Sequence, residues 1–288
     1  MPNPQLEIEP LNPVIGAIVH GVELSTAQSE ETIAAIRAAF LRHKVLFFRN
    51  QTLTPVEQRD FAKSFGQLHI HPVYPQVDSV PEILILDNSA DNPTDNANWH
   101  TDVTFIETPP LAGLLYAVKL PPSGGDTLWS SMTKAYEALS PAFQDFLSKH
   151  EAIHDFAHSF PPESQVSLNA GDDGYARARR ENPPVTHPVI RTHPETGLPG
   201  LFVNSGFTTK IKGLSDRESA LLLKYLFEHI QQPEFLVRWR WKPGDIAFWD
   251  NRCTQHYAVN DYLPHRRVMY RATVLGDRPF FRSVEASS

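Results

Sequence analysis

Short apolar runs bounded by turn residues recur along this chain, and they limit its architecture more than any other feature. Residues 45–48, 83–86, 114–118, 189–192 and 201–204 each have the length and composition of a buried strand. The segment FLVRWRW adds clean alternation. Phe235, Val237, Trp239 and Trp241 face one way, and Leu236, Arg238 and Arg240 the other. Lys242-Pro243-Gly244-Asp245 reads as a turn into IAFWD, which predicts a hairpin, and 268–274 predicts a further strand. Helix signals are fewer but well formed. Thr54-Pro55-Val56-Glu57 combines an N-cap, a proline in the first turn and a capping-box glutamate, and predicts a helix to about Phe65. Ser215-Asp216-Arg217-Glu218 repeats the signature before ALLLKYLFEHI. A third helix is expected over 29–43, with Ile33, Ile36, Phe40 and Leu41 on one face. The reading is one α+β domain spanning 1–288, a β-sandwich or jelly roll buttressed by helices. The poorly patterned stretch 160–185, with Gly171, Asp172, Asp173 and Gly174, reads as a mobile loop or lid.

Charge and composition narrow the partners. The net charge of -7 and the lack of a long basic run argue against nucleic acid or an anionic membrane. A single cysteine, Cys253, allows no intrachain disulfide and fits a reducing compartment. The start of the chain lacks the pattern of a signal peptide, and no aliphatic run is long enough to span a bilayer. A cytoplasmic protein is therefore expected.

The chemistry concentrates in a few residues. His-x-Asp/Glu pairs occur twice, at His100-Thr101-Asp102 and at His193-Pro194-Glu195. The second runs into Thr196-Gly197 and reads as an ordinary turn. The first lies in NANWHTDVTF, after a loop rich in Asn, Asp and Pro, at the mouth of a strand. In extended backbone, positions i and i+2 project to one side, so both side chains can reach one ion. His256, in WDNRCTQHYA, completes a two-histidine, one-carboxylate set that leaves coordination positions open. Structural zinc would instead require a closed tetrahedral site. Cys253 reads as a small apolar residue rather than a ligand. Arg267 and Arg271, in HRRVMYRATVLGD, share a face of the last strand with Met269. Two guanidinium groups inside a barrel are costly without anions to pair with. They read either as receptors for an anionic cosubstrate and an anionic substrate or as the solvated charged face of an exposed strand.

These motifs together resemble the taurine dioxygenase branch of the 2-oxoglutarate-dependent oxygenases. The resemblance rests on WHTDVTF, GGDTLW at 124–129, WDNRCTQHYAVNDY and HRRVMYRATVLGD, and runs from GAIVHGVEL to GDRPF. HIHPVYP at 69–75 and GFTT at 206–209 point to the taurine enzymes rather than to their aryloxyacetate relatives. It implies a double-stranded β-helix with flanking helices, and Fe(II), 2-oxoglutarate and O2 as cofactors. It implies iron ligation by His100, Asp102 and His256. Arg267 and the Thr127 hydroxyl would hold 2-oxoglutarate. Arg271 and His71 would take the sulfonate, and Tyr74, Asp95 and Asn96 would receive the substrate ammonium. Phe207 and Val103 would form an apolar wall, while Tyr270 would point away. The implied reaction hydroxylates taurine next to sulfur and releases sulfite. A homo-oligomer, dimer or tetramer, is expected. The same chemistry on another small sulfonate, an alkyl sulfate or an aryloxyacetate is the neighbouring alternative. A β-barrel that only binds a small anion is a different class, and a zinc hydrolase lacks a suitable general-base glutamate.

Overall fold

The structure is a computed structural model and describes residues 6–71, 74–92 and 97–283; within 165–181 the side chains of 165, 166, 169, 170 and 172 lie outside the description. Four successive apolar residues in the strand Val45–Phe48 explain the arrangement. Val45 and Phe47 enter one core and Leu46 and Phe48 another, so both faces of the strand are covered. Ile246–Asp250 behaves alike, with Ala247 and Trp249 on one side and Ile246 and Phe248 on the other. Such strands read as continuous hydrophobic runs because no face meets water.

The large sheet runs from edge to edge through Glu7–Pro10, Ala17–His20, Val45–Phe48, Ile246–Asp250, Ala112–Lys119, Arg267–Val274, Val80–Asn88 and Gln76–Val77. The pairing of Ala17–His20 with Val45–Phe48 is parallel. A three-stranded sheet of Leu236–Trp239, Thr127–Ser131 and Thr254–Ala258 packs against it. Between them lies a core of Phe47, Trp129, Trp239, Trp249 and Met269, with Phe47 and Trp239 stacked at 3.9 Å. The outer face of the large sheet is covered by the helices Glu30–His43 and Pro55–Lys63, through Ile36, Phe40 and Phe61. The outer face of the small sheet is covered by Met132–Glu137, Pro141–Ser148 and Asp216–His229. This is the α+β, helix-buttressed jelly roll that the sequence predicts.

Both capping boxes form. Thr54 and Glu57 exchange hydrogen bonds at one helix start, and Ser215 and Glu218 at the other. Three local expectations are corrected. The strands before and after Lys242-Pro243-Gly244-Asp245 make no hairpin, because Leu236–Trp239 lies in the small sheet and Ile246–Asp250 in the large one. The turn carries the chain across the sandwich, with Asp245 accepting from the Lys242 amide at 2.7 Å and pairing with Arg49. Phe235 does not join the face of Val237, Trp239 and Trp241, since a 3-10 turn at Pro233–Phe235 swings it into the outer core. The stretch expected as loop is largely helical, with Gln165–Glu181 broken where Gly171 adopts φ 69°.

Candidate metal centre and substrate site

Two backbone hydrogen bonds begin the site. The His100 amide donates to the His256 carbonyl at 3.0 Å, and the His256 amide donates back at 2.8 Å. This isolated bridge ties the loop after Trp99 to the strand Thr254–Ala258 and sets the two imidazoles 4.2 Å apart. Asp102 does not sit in extended backbone as expected. The chain turns immediately after His100, and Asp102 is swung back toward the histidines. Asn251 holds that turn by accepting from the Asp102 amide at 2.9 Å and donating to its carbonyl at 3.1 Å. The next residue, Val103, has φ 54°. A β-branched residue in that region costs about 1–3 kcal/mol and persists only where the surroundings hold it. Here they do. Thr104 Oγ1 accepts from Asn204 Nδ2 at 3.1 Å and contacts His154 Nδ1 at 2.9 Å, and the Thr104 carbonyl faces His187 Nε2 at 2.9 Å.

The result brings the three expected ligands together. His100 Nε2 and His256 Nε2 lie 3.9 and 4.0 Å from Asp102 Oδ1, and all three residues are buried. Burial holds both imidazoles below the usual histidine range, so each is neutral and offers a lone pair. The His100 Nδ1–H donates to the Asn98 carbonyl at 2.9 Å, which fixes the tautomer and leaves Nε2 free for a metal. Burial alone would raise the Asp102 carboxyl, but the Arg271 guanidinium outweighs it and keeps the group ionised. Its Oδ2 is buried with no hydrogen-bond partner among the described residues. Two neutral nitrogens, one carboxylate and no thiolate fit a transition metal with open positions better than a closed zinc site. Gly206 packs against this centre, and a Cβ there would lie 2.9 Å from the Cβ of His100.

The second pair, His193-Pro194-Glu195, is separate from this centre but not idle. His193 is buried, 3.0 Å from Asp250 through Nε2, with Nδ1 accepting the Thr196 amide at 3.0 Å. Arg252 donates to both oxygens of Asp250, at 2.8 and 2.7 Å, and to Glu195 at 2.6 Å. Cys253 joins the cluster His193, Asp250 and Cys253, but burial pushes its thiol far above the ordinary range. With Asp250 already saturated and the thiol protonated, this cluster does not suit a metal.

The residue expected to hold the cosubstrate, Arg267, opens the strand Arg267–Val274. Arg267 is buried, its Nε and Nη2 have no partner among the described residues, and burial lowers its pKa to about 10. A buried guanidinium with free donors calls for a carboxylate. Trp241 joins it to Thr127, since its ring is 5.9 Å from the Arg267 guanidinium and its N–H donates to Thr127 Oγ1 at 3.0 Å. The Thr127 hydroxyl proton remains available to donate. Gly125 has φ 70°, and a Cβ there would lie 3.1 Å from Arg267 Cδ.

Arg271, expected on the substrate side, is buried, with Nη1 donating to Asp102 Oδ1 at 2.7 Å and Nε unpartnered among the described residues. His71 is close by. Burial, then Arg271, holds its imidazole well below the usual range. Its Nδ1 accepts the Tyr74 amide at 3.4 Å, and its ring lies 4.8 Å from that of Tyr74. An apolar cluster of Val103, Phe105, Phe156, Phe160, Ala178 and Phe207 packs beside them, with Tyr74 at its edge. Asn204 fixes one wall, since its Oδ1 accepts the Phe207 amide at 2.9 Å. Tyr270 packs against the outer core beneath the helices, on the other face from Met269, as expected. Asp95 and Asn96 fall outside the described residues. Sequence reasoning missed Asn251, Asn204, Phe105 and Phe160. Only the position of Asn251, within the segment that carries His256, hinted at a role.

Comparison with known proteins places these features in a wider group. Residues 7–273 match the family described as Taurine catabolism dioxygenase TauD, TfdA family. An alpha-ketoglutarate-dependent sulfate ester dioxygenase of Pseudomonas putida is 39% identical over 280 residues, covering 96% of this chain and 91% of that protein. An alpha-ketoglutarate-dependent 2,4-dichlorophenoxyacetate dioxygenase of Cupriavidus pinatubonensis is 32% identical over 286 residues, covering 93% of this chain and 97% of the relative. A crystal structure of a taurine dioxygenase from Burkholderia xenovorans superposes with a TM-score of 0.82 at 39% identity, covering 96% of this chain and 91% of the other.

Proposed function

We propose a substrate for a chain that belongs to the TauD/TfdA family and is a 2-oxoglutarate-dependent dioxygenase: it hydroxylates taurine, or a sulfonate of similar size, at the carbon next to sulfur and releases sulfite. Fe(II), held by His100, Asp102 and His256, together with 2-oxoglutarate and O2 supplies the oxidation when bound. The rest is the work of the chain's own residues.

Arg267 pairs with the distal carboxylate of 2-oxoglutarate, and the Thr127 hydroxyl donates a second hydrogen bond. The charge-assisted pair forms in a desolvated pocket, where it is strongest. Arg271 receives the sulfonate through its free Nε edge. His71, held neutral by burial and with Nδ1 accepting the Tyr74 amide, is the second polar side chain on the sulfonate side. Phe105, Phe160 and Phe207, packed together beside Tyr74, supply the apolar wall next to the sulfonate. Fixing the sulfonate fixes which C–H faces the metal. The hydroxylated carbon then loses its O–H proton as C=O forms. The C–S bond breaks, and its electron pair leaves with sulfur as sulfite. For taurine the organic product is aminoacetaldehyde.

The observation that carries this reading is the buried Arg271 beside His71, a receptor for a small oxyanion next to the metal ligands. Taurine in particular rests on Tyr74, Asp95 and Asn96 as receptors for its ammonium group. The apolar cluster favours a second reading, in which the substrate is an alkyl sulfate, as in the sulfate ester relative.

Sulfite or sulfate release from taurine, butanesulfonate and butyl sulfate separates the two. Taurine is expected to give the highest kcat/KM, because polar groups built for an ammonium lose their partner with an uncharged chain. Asp95→Ala or Asn96→Ala is expected to narrow that gap without affecting 2-oxoglutarate binding. A preference of the unmodified protein for butyl sulfate replaces taurine by a sulfate ester and leaves the reaction class intact.

The two arginines are also separable. Arg267→Ala is expected to weaken 2-oxoglutarate binding by about 2–5 kcal/mol, the effect of removing one partner of a desolvated charge pair. Isothermal titration of the cosubstrate measures it. A loss below tenfold would remove Arg267 from that role.

A further inference from the structure

Arg271 touches both halves of the site. Its Nη1 donates to Asp102 Oδ1 at 2.7 Å, while its Nε is buried and unpartnered among the described residues. Both side chains are almost fully shielded, at 6% and 4% exposure, so solvent screens the pair little. A guanidinium has five donors in a rigid fork and can serve two anions at once. Asp102 is one of them, and it is also the only carboxylate among the three metal-ligating residues.

We propose that Arg271 couples the substrate oxyanion to the metal through Asp102, so that each tightens the other's binding. This rests on the reading that Arg271 receives the substrate's anionic group. Without substrate, the full guanidinium charge bears on Asp102. It draws electron density from the carboxylate and repels a cation arriving at the same oxygens. A sulfonate or sulfate on the Nε edge offsets that charge and takes up part of the hydrogen bonding. Asp102 becomes the better donor, and the metal binds more tightly. By linkage, the metal raises the affinity for the oxyanion by the same factor. The coupling needs no movement of the backbone, since Asn251 and the backbone bridge already hold Asp102 and the two histidines.

The sign distinguishes this from a structural role. If Arg271 only orients Asp102, its removal weakens metal binding. If it opposes the metal electrostatically, its removal strengthens it. The test is Mn(II) affinity of the metal-free protein, read from free Mn(II) by EPR, without 2-oxoglutarate or turnover. In the unmodified protein, saturating taurine is expected to tighten Mn(II) binding about fivefold or more. Arg271→Gln is expected to bind Mn(II) on the order of tenfold more tightly than the unmodified protein without any anion, and to lose the taurine response. Arg271→Lys keeps the charge and is expected to stay near the unmodified affinity, and far-UV circular dichroism checks the folding of both variants. Weaker or unchanged Mn(II) binding in a folded Arg271→Gln overturns the coupling. So does an unmodified protein whose Mn(II) affinity responds to neither taurine nor butyl sulfate. A response to butyl sulfate alone keeps the coupling and overturns only the choice of taurine.

Discussion

Replacing His100, Asp102 or His256 by alanine is expected to abolish turnover and to weaken divalent metal binding by about 100-fold or more, since even residues outside the ligand set cost 10–100-fold. The three residues are the one group of potential ligands brought together at this centre among the described residues. The folded state should survive in the histidine variants, because the bridge between residues 100 and 256 is made by backbone groups that the substitutions leave in place. Asp102→Ala additionally leaves Arg271 without its carboxylate, so this variant should also lose stability. Metal content after dialysis, with far-UV circular dichroism as the check on folding, measures the effect. Retention of metal by folded His256→Ala would place the metal elsewhere.

The largest effect on stability is expected at a residue that takes no part in the chemistry. Asp250 is fully buried, bound at both oxygens by Arg252 and at Oδ2 by His193. Asp250→Ala leaves the buried Arg252 guanidinium with Glu195 as its one remaining carboxylate among the described residues, and breaking such a buried pair costs about 3–5 kcal/mol. Burial alone would raise this carboxyl, but the hydrogen bonds and charge of Arg252, with His193, hold it well below the usual carboxylate range. The sign follows from that depression. The stabilisation is complete above the unfolded carboxyl's pKa of about 4 and is lost as pH falls further. Urea unfolding at pH 7 and pH 3 reads both effects. The variant should be much weaker at pH 7, and the difference from the unmodified protein should shrink at pH 3. His193→Ala should lose part of this stability yet retain the metal, since His193 belongs to this network and not to the metal centre. An Asp250→Ala protein as stable as the parent at pH 7 would show that the network contributes nothing net.

The sequence carried much of this because its strongest signals are local. Capping boxes at Thr54 and Ser215 depend on residues three apart, and both form. The strand Arg267–Val274 has a fixed two-residue period, so Arg267 and Arg271 necessarily share a face. His100 and Asp102 also converge as expected, but for a different reason. The period of a strand does not bring them together. A turn does, held by Asn251 some 150 positions along the chain and by a strained Val103. Nothing local announces a contact of that range. The same limit explains the turn at Lys242-Pro243-Gly244-Asp245. Its residues specify a reversal but not whether the next strand pairs with the last or crosses to the opposite sheet. His193 read as an ordinary turn residue because its partner Asp250 is distant in sequence. The apolar runs located the core, whereas Phe105 and Phe160 join Val103 and Phe207 in a packing cluster that no periodicity marks.

The account rests on one centre holding metal, cosubstrate and substrate together, and an anaerobic visible spectrum tests all three at once. Fe(II) and 2-oxoglutarate are added first, then taurine. A charge-transfer band is expected with Fe(II) and 2-oxoglutarate, and it is expected to shift when taurine is added. The band should be lost at the same cosubstrate concentration in Arg267→Ala, while Arg271→Ala should keep the band and lose only the shift. A band in the unmodified protein that ignores both taurine and butyl sulfate, or a shift that survives in Arg271→Ala, would contradict the assignment of the substrate site, whereas a shift with butyl sulfate alone replaces only taurine. No band at all with Fe(II) and 2-oxoglutarate would contradict the metal centre itself.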